Sequence, residues 1–206
     1  EIHHRVKNNL QTVASLLRIQ SRRATDDKAK DALNQAMRRV SAIAVVHDTL
    51  SEGLSQNVDF DEVFDRVGML AAEVASGTNQ VIKPTLSGRF GILPSEYATP
   101  LALALTELVT NAVEHGLRGR DQGEVTITAT RTPDRLTVVV ADNGGGLPGG
   151  AVGEGLGTQI VRTLVQGELG GTIEWNSVEG QNTEVVVNVP LQYLEEQPMT
   201  AAIPLV

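Results

Sequence analysis

The sequence predicts an α+β protein, in which an N-terminal helical hairpin precedes a domain of helices packed on one face of a mixed or antiparallel sheet. Apolar residues recur at helical spacing through residues 1–51, whereas later segments alternate at strand spacing. With 206 residues, the chain fits one large or two small domains. We therefore divide it into a hairpin (1–54), a second domain (55–192) and a weakly structured tail (193–206).

The hairpin is predicted from two amphipathic stretches separated by a turn. We expect helices over residues 1–23 and about 27–51, with the turn at 24–27. A lone hairpin would leave its apolar stripe in water, so two copies should pair into a dimeric four-helix bundle. We infer a homodimer from that need for burial. The apolar residues of the first helix recur three or four positions apart: Ile2, Val6, Leu10, Val13 and Leu17.

The second domain is predicted to mix helices and strands. Thr132-Pro133-Asp134-Arg135 is a hairpin signal between two strands. The predicted order is a polar connector at 53–59, a helix at 60–76, a strand at 81–86, a long helix at 95–116, strands at 124–131 and 135–142, a helix at 156–167, and strands at 171–177 and 183–190.

Composition excludes several classes of protein and site. The net charge of −8 argues against a nucleic-acid-binding surface. Without cysteine, the chain can form neither disulfides nor a cysteine-based zinc site. No apolar run is long enough for a membrane span and no signal peptide is visible, so we expect a cytoplasmic location. Because the sequence begins within a predicted helix and without Met, we expect an upstream region to precede it.

His4 is the candidate nucleophile of the first helix. At about 100° per residue, the apolar stripe centres near Val6 and Val13, and His4 falls roughly opposite, on the solvent face. Glu1 lies on the same face, three residues earlier. Its carboxylate can accept a proton from one ring nitrogen and leave the other free to attack. The alternative is an ordinary surface histidine. His47 lies on the apolar stripe of the second helix, so we expect a core residue there without a catalytic role.

The long helix carries three polar residues on one face, because Glu107, Asn111 and His115 are spaced at four residues. An amide oxygen such as that of Asn111 is a suitable Mg²⁺ ligand that adds no charge beside an anionic phosphate. Glu107 could polarise an attacking group or order a metal-bound water. The alternative is an ordinary helix with a polar stripe.

Asp142 ends a predicted strand and is followed by Asn143 and the glycines 144–146. A carboxylate fixed at a strand end can accept a hydrogen bond from an exocyclic amine such as that of adenine. Adjacent glycines let the backbone approach a flat ring closely. The alternative is a simple hairpin turn, which such Asp/Asn-Gly sequences often mark.

A second glycine-rich segment, residues 153–158, leads directly into an apolar helix. Such a loop offers free N–H groups and the positive end of the helix dipole to phosphates. It is not a Walker loop, because Gly-Lys-Ser/Thr does not occur, and it is not a Rossmann fingerprint. The glycine and proline content between the two glycine segments predicts a short mobile lid.

Taken in order, the segments TELVTNAVEHG, ADNGGGLP and GEGLGTQIV resemble the GHKL (Bergerat) ATP-binding fold of histidine kinases, Hsp90, MutL and type II topoisomerases. The resemblance implies a GHKL-type α/β sandwich that binds ATP and Mg²⁺. It implies that Asn111 coordinates the metal and that Asp142 holds the adenine amine. Thr183 matches a late threonine near the phosphates, although residues 181–182 replace the usual glycines. The glycines implied to shape the pocket are Gly144, Gly146, Gly155 and Gly157.

The opening segment EIHHRVKNNLQ resembles the acceptor helix of the sensor histidine kinases whose acceptor reads HRVKNNLQ, a subfamily related to HWE kinases. Alignment with that motif puts the acceptor at His4 and not at His3. Arg5 replaces the usual acidic neighbour, so the base is either Glu1 or Glu107.

The combined resemblance implies the cytoplasmic part of a two-component sensor. It implies ATP-dependent autophosphorylation on histidine, followed by transfer to an aspartate in the receiver domain of a response regulator. Two alternatives stay open, namely another GHKL ATPase such as an anti-sigma-factor serine kinase, or a nucleotide-binding dimer module without catalysis. The sequence leaves open the signal, the regulator, phosphatase activity, and whether transfer occurs within or between subunits.

Overall fold

The computed structural model of the protein describes residues 2–52, 57–75, 84–117, 123–147, 151–153, 155–178 and 180–191, without the side chains of residues 2–5, 7, 46, 49–52 and 69–75. The elements are α1 (Ile2–Arg23), α2 (Asp27–Glu52), β1 (Asn57–Asp59), α3 (Phe60–Ala75), β2 (Thr85–Gly88), β3 (Ile92–Pro94), α4 (Ser95–Asn111), β4 (Val125–Arg131), β5 (Arg135–Asp142), α5 (Leu156–Arg162), β6 (Thr172–Val178) and β7 (Asn182–Pro190). Two helices continue as π-helical turns, α4 over Ala112–Gly116 and α5 over Thr163–Glu168.

The hairpin turn is fixed by a side-chain cap. The carboxylate of Asp26 accepts the backbone N–H of Ala29 at 3.0 Å, which satisfies one of the donors left open at the start of α2. Further along, the Ser21 hydroxyl donates to the Asn34 side-chain oxygen at 2.9 Å. These bonds set the register in which α1 and α2 run antiparallel.

The face of α1 that packs on α2 differs from the predicted stripe. Leu10 and Leu17 are partly buried in the single chain. Val13, by contrast, is 43% exposed, together with Leu16 (55%) and Ile19 (46%). The part of the predicted stripe at Val13 therefore does not pack on α2, because the 3.6-residue period spreads the apolar residues of α1 over two faces.

The main sheet has five strands in the order β2-β4-β5-β7-β6. Strand β2 runs parallel to β4, and all other pairs are antiparallel, so the sheet is mixed. Buried residues alternate along β5, with Leu136, Val138 and Val140 facing the helices. The α+β class with helices and a mixed sheet is confirmed.

Two short strands were missed. The predicted connector at 53–59 is wrong for Asn57–Asp59, which form β1 and pair antiparallel with β3 at Ile92–Pro94. Each strand has only three residues, too few for alternation to be visible in the sequence. The pair is specified by tertiary packing, since Val58 and Leu93 face each other and both are buried.

The structure covers or agrees with three further predictions only partly or not at all. The strand predicted at 81–86 lies partly outside the described residues, and its described part runs two residues further, to Gly88. His47 is half-buried and not a core residue. The predicted tail at 193–206 lies outside the described residues. Among the helices that the structure describes, none combines the length and apolarity that crossing a membrane requires.

Val138 and Val178 test the energetics of the sheet. Val138 is fully buried on β5, whereas Val178 on β6 is 51% exposed. Val138→Ala should lower the free energy of unfolding of the sheet domain by about 2 kcal/mol, because it removes buried methyl groups and leaves a cavity. Val178→Ala should change it by less than about 0.5 kcal/mol. Urea titration followed by the fluorescence of Trp175, the only tryptophan of the chain, measures both; equal losses would contradict this assignment of the core.

Candidate nucleotide-binding site

A cavity of about 530 Å³ opens between α4 and the sheet. Its walls come from the end of α4, the ends of β5 and β7, the glycine segments, the start of α5, and one residue each of α2 and β6. The lining residues are Gln35, Leu108, Asn111, Ala112, His115, Gly116, Val140, Asp142, Gly146, Leu147, Val152, Gly153, Gly155, Leu156, Gly157, Thr158, Trp175, Thr183 and Val185.

Asp142 lies in the floor of the cavity. It is the last residue of β5 and only 6% exposed. Its Oδ1 accepts the backbone N–H of Gly144 at 2.9 Å, which fixes the carboxylate relative to the following loop. The end of α4 passes directly beside it, because a Cβ added at Gly116 would lie 2.6 Å from Oδ1. Glycine at 116 is therefore required for this approach.

The loop after β5 is held by backbone contacts on two sides. The N–H of Gly145 donates to the Gly116 carbonyl at 2.8 Å, and the Gly145 carbonyl accepts the N–H of Gly180 at 2.7 Å. A Cβ at Gly144 would collide with the Gly116 carbonyl group, whereas a Cβ at Gly145 would meet nothing within 4 Å. Gly146 has a φ of 70°, in the left-handed region that favours glycine.

The predicted phosphate side of the cavity is also closely packed. A Cβ added at Gly157 would lie 3.0 Å from Glu107 Oε2 and 3.7 Å from both amide atoms of Asn111. The glycine loop therefore lies against the polar face of α4. Thr183 is 7% exposed and is the β7 partner of Asp142 in the sheet register, which places both residues at the same edge of the cavity.

Glu107 is paired with the helical hairpin. Its Oε1 accepts from Arg39 Nε at 2.8 Å and its Oε2 accepts from Arg39 Nη2 at 3.1 Å. The Glu107 side chain is only 5% exposed. One residue earlier on α2, Arg38 is paired with Glu114 at 3.0 Å. Two arginines of the hairpin thus neutralise two carboxylates of the long helix.

The structure brings most of the predicted site residues together. The N–H of Gly144 donates to Asp142, and Glu107 lies beside Gly157. The His4 backbone belongs to α1, but its side chain lies outside the described residues, as does Glu1. The predicted residues that line the common cavity are Asn111, Asp142, Gly146, Gly155, Gly157 and Thr183.

Sequence reasoning missed Gln35 and Trp175 among the residues that line the cavity. Gln35 reaches it from α2, and no local pattern could have assigned it to a site in the other part of the chain. Trp175 lines it from β6, and the guanidinium of Arg162 lies 4.7 Å from its ring centroid. The single tryptophan of the chain, on a predicted strand, was a signal that could have suggested a flat wall at this position.

Comparison with known proteins agrees with this geometry. A family model described as histidine kinase matches residues 1–73. A second model, described as histidine kinase-, DNA gyrase B- and HSP90-like ATPase, matches residues 96–193. The sensor histidine kinase PdtaS of Mycolicibacterium smegmatis is 47% identical over 195 residues, which cover 93% of this chain and 39% of that protein. The chain belongs to the histidine kinase family.

Two further relatives of this chain come from Erythrobacter litoralis. Blue-light-activated histidine kinase 2 is 31% identical over 211 residues, covering 98% of this chain and 58% of that protein. The histidine kinase domain of the EL346 blue-light-activated histidine kinase superposes with a TM-score of 0.70 at 24% identity, covering 92% of this chain and 94% of that one. This structural superposition shows that the two chains share a fold.

The resemblance to HWE-related histidine kinases and to the GHKL fold is thereby confirmed, and the ATPase match implies that residues 96–193 bind ATP. The chain spans 39% of the length of PdtaS.

Gly144 and Gly145 provide a matched pair of variants for the cavity. Gly144→Ala should weaken ATP binding at least tenfold, because the new Cβ must displace the Gly116 backbone and with it the Asp142 carboxylate. Gly145→Ala should leave affinity nearly unchanged, since its Cβ enters open space. Isothermal titration calorimetry with ATP measures both affinities. Equal effects of the two substitutions would show that the close approach of Gly144 to the Gly116 backbone does not determine the geometry of the site.

Proposed function

We propose that this chain catalyses ATP-dependent autophosphorylation of His4 and then passes the phosphoryl group to an aspartate in the receiver domain of a response regulator. The observation that carries the proposal is the cavity itself, which gathers Asn111, Asp142 and Thr183 around glycine-rich backbone. The match of the preceding helices to a histidine kinase model supports the presence of an acceptor in the same chain. We assign residues 1–54 to dimerisation and phosphotransfer, and 55–192 to nucleotide binding.

In this proposal the adenine amine donates a hydrogen bond to Asp142. The carboxylate is buried and fixed by Gly144, so it is oriented before the nucleotide arrives. Trp175 offers an aromatic wall in the same cavity. The loop of Gly155 and Gly157 gives phosphates close access to backbone, because neither position has a side chain.

Mg²⁺ fits the oxygen donors on the phosphate side. The Asn111 amide lines the cavity and faces the Gly157 loop, where phosphates would lie. One neutral amide oxygen together with phosphate oxygens is a coordination that Mg²⁺ accepts. Within the described residues, no cluster of three acidic or histidine side chains offers a separate metal site. A bound Mg²⁺ would supply charge neutralisation for the transferred phosphoryl group.

The reaction exchanges one bond for another. A ring nitrogen of His4 attacks the γ-phosphorus of ATP in line, the bond to the bridging oxygen breaks, and ADP leaves. The proton of the other ring nitrogen passes to a carboxylate, for which Glu1 and Glu107 are the candidates. The phosphohistidine then transfers its phosphoryl group to an aspartate oxygen of the regulator, which restores the imidazole.

A homodimer through the hairpin is part of the proposal. Val13, Leu16 and Ile19 form an exposed apolar stripe on α1, defined here as the dimer stripe. An apolar stripe of this kind is covered when two hairpins associate into four helices.

Two substitutions test the proposed acceptor. With γ-labelled ATP, the parent protein should acquire label that is lost in acid and retained in alkali, as a phosphoramidate requires. His4→Gln should abolish this label, whereas His3→Gln and His47→Gln should retain it. Filter binding after acid and alkali treatment distinguishes the classes.

Other outcomes identify the two alternatives. Label that survives acid would indicate a serine kinase, and ATP binding without any label would indicate a module that binds nucleotide without transfer. Acid-labile label on His4→Gln equal to that of the parent would refute His4 as the acceptor.

A further inference from the structure

A serine hydroxyl on the edge strand β6 joins the loop after β5 to the turn between β6 and β7. We call residues 143–147 the β5 loop. At the end of this loop, the backbone N–H of Leu147 donates to Ser177 Oγ at 2.7 Å. The Ser177 hydroxyl in turn donates to the Asn182 carbonyl at 3.0 Å. A hydroxyl has one proton and two lone pairs, so it can form both bonds at once and bridge the two segments.

The start of the β5 loop is held by contacts that do not involve Ser177. The N–H of Asn143 donates to the Glu124 carbonyl at 3.2 Å, and Asn143 Oδ1 accepts the Glu124 N–H at 2.8 Å. The bond from Gly144 to Asp142 lies at this same end. Removal of the Ser177 hydroxyl should therefore release the end of the loop and leave the Asp142 carboxylate in place.

The sheet register relates Ser177 to the cavity. Thr183 on β7 is paired with Asp142 on one side and with Ser177 on the other, so these three residues form one row across three strands. At a spacing of about 4.8 Å between strands, the ends of this row are roughly 10 Å apart. The β5 loop spans that distance, because it starts after Asp142 and ends at Leu147, which is bonded to Ser177.

Leu147 belongs to the side of the cavity that we assign to the base. It lines the cavity together with Asp142 at one end of the row and Trp175 on β6. Trp175 lies two residues before Ser177 and therefore on the same face of that strand. The residues assigned to the phosphates, Asn111 and Gly157, lie against each other elsewhere in the cavity.

We propose that Ser177 is a positioning residue for the nucleotide, whose hydroxyl holds Leu147 against the base and thereby determines the affinity for ATP. The inference rests on the nucleotide site of the proposed function. Without the hydroxyl, the Leu147 N–H loses its partner and the residue can leave the cavity wall. The phosphate side does not depend on this bond, so the γ-phosphate should keep its orientation.

ATP affinity tests the role of the hydroxyl. Ser177→Ala should weaken ATP binding about tenfold, because it leaves the Leu147 N–H without its acceptor. Ser177→Thr keeps a hydroxyl, and a β-branched residue is favoured on a strand, so its affinity should be within about twofold of the parent. Asn176→Ala is the control, because this adjacent residue of β6 is exposed on the opposite face. Isothermal titration calorimetry measures all four affinities.

A double-mutant cycle tests whether Ser177 acts through Leu147. Leu147→Ala removes the side chain that the bond is proposed to hold, and should itself weaken ATP binding. In this background, Ser177→Ala should weaken binding by a further factor of less than about two, because there is no longer a side chain to position. Two effects that multiply in full would show that Ser177 acts by another route.

The kinetics of histidine labelling separate binding from transfer. Ser177→Ala should raise the KM for ATP about tenfold and leave kcat nearly unchanged, since a contact to the base is made equally before and during transfer. Each variant is titrated well below its own unfolding midpoint, followed by Trp175 fluorescence. Unfolded protein then does not contribute to the loss of affinity.

The outcomes separate the two proposals. A weakened affinity in Ser177→Ala that Ser177→Thr restores, and that disappears in the Leu147→Ala background, supports the positioning role. An affinity of Ser177→Ala equal to that of the parent overturns it, as does a fall in kcat without a change in KM. Calorimetry measures binding without transfer. A parent that binds ATP but labels no histidine would therefore overturn the proposed autophosphorylation and not the role of Ser177.

Discussion

The site depends on a place where two stretches of backbone cross at hydrogen-bonding distance. The end of the long helix at Gly116 passes beside Asp142, and the loop that follows passes over the Gly116 carbonyl through the N–H of Gly145. Side chains at 116 or 144 would separate the two stretches. Since Asp142 is bonded to Gly144, the crossing also determines where the buried carboxylate lies.

The remaining features are arranged around that fixed point. The sheet register places Thr183 beside Asp142, and the end of α4 contributes Asn111 to the cavity wall. Glu107 lies one turn earlier on α4, beside Gly157. The hairpin then closes the cavity with Gln35 and neutralises Glu107 with Arg39. The cavity and the contact between hairpin and long helix therefore involve neighbouring residues of α2, Gln35 and Arg39.

Local patterns predicted much of this structure, and long-range contacts account for the rest. Helical and alternating periods predicted the hairpin, the long helix and the four later strands, because each is long enough to show its period. The glycine segments and Asn111 were found from the chemistry that phosphate and metal require. The short pair β1 and β3, the wall residue Gln35 and the ion pairs of Arg38 and Arg39 depend on partners distant in sequence, which no local pattern encodes. The role of His4 stays a prediction, as its side chain lies outside the described residues.

The recognition of adenine by Asp142 is tested most directly by a nucleotide that lacks the proposed donor. The affinities of ATP and of N6,N6-dimethyl-ATP for the same protein can be compared by calorimetry. If the exocyclic amine donates to the buried carboxylate, the dimethylated nucleotide should bind at least tenfold more weakly, because it leaves Asp142 without that bond and adds bulk against it. Equal affinities would show that the adenine ring does not lie against Asp142. They would also contradict the orientation of the γ-phosphate that follows from this placement of adenine.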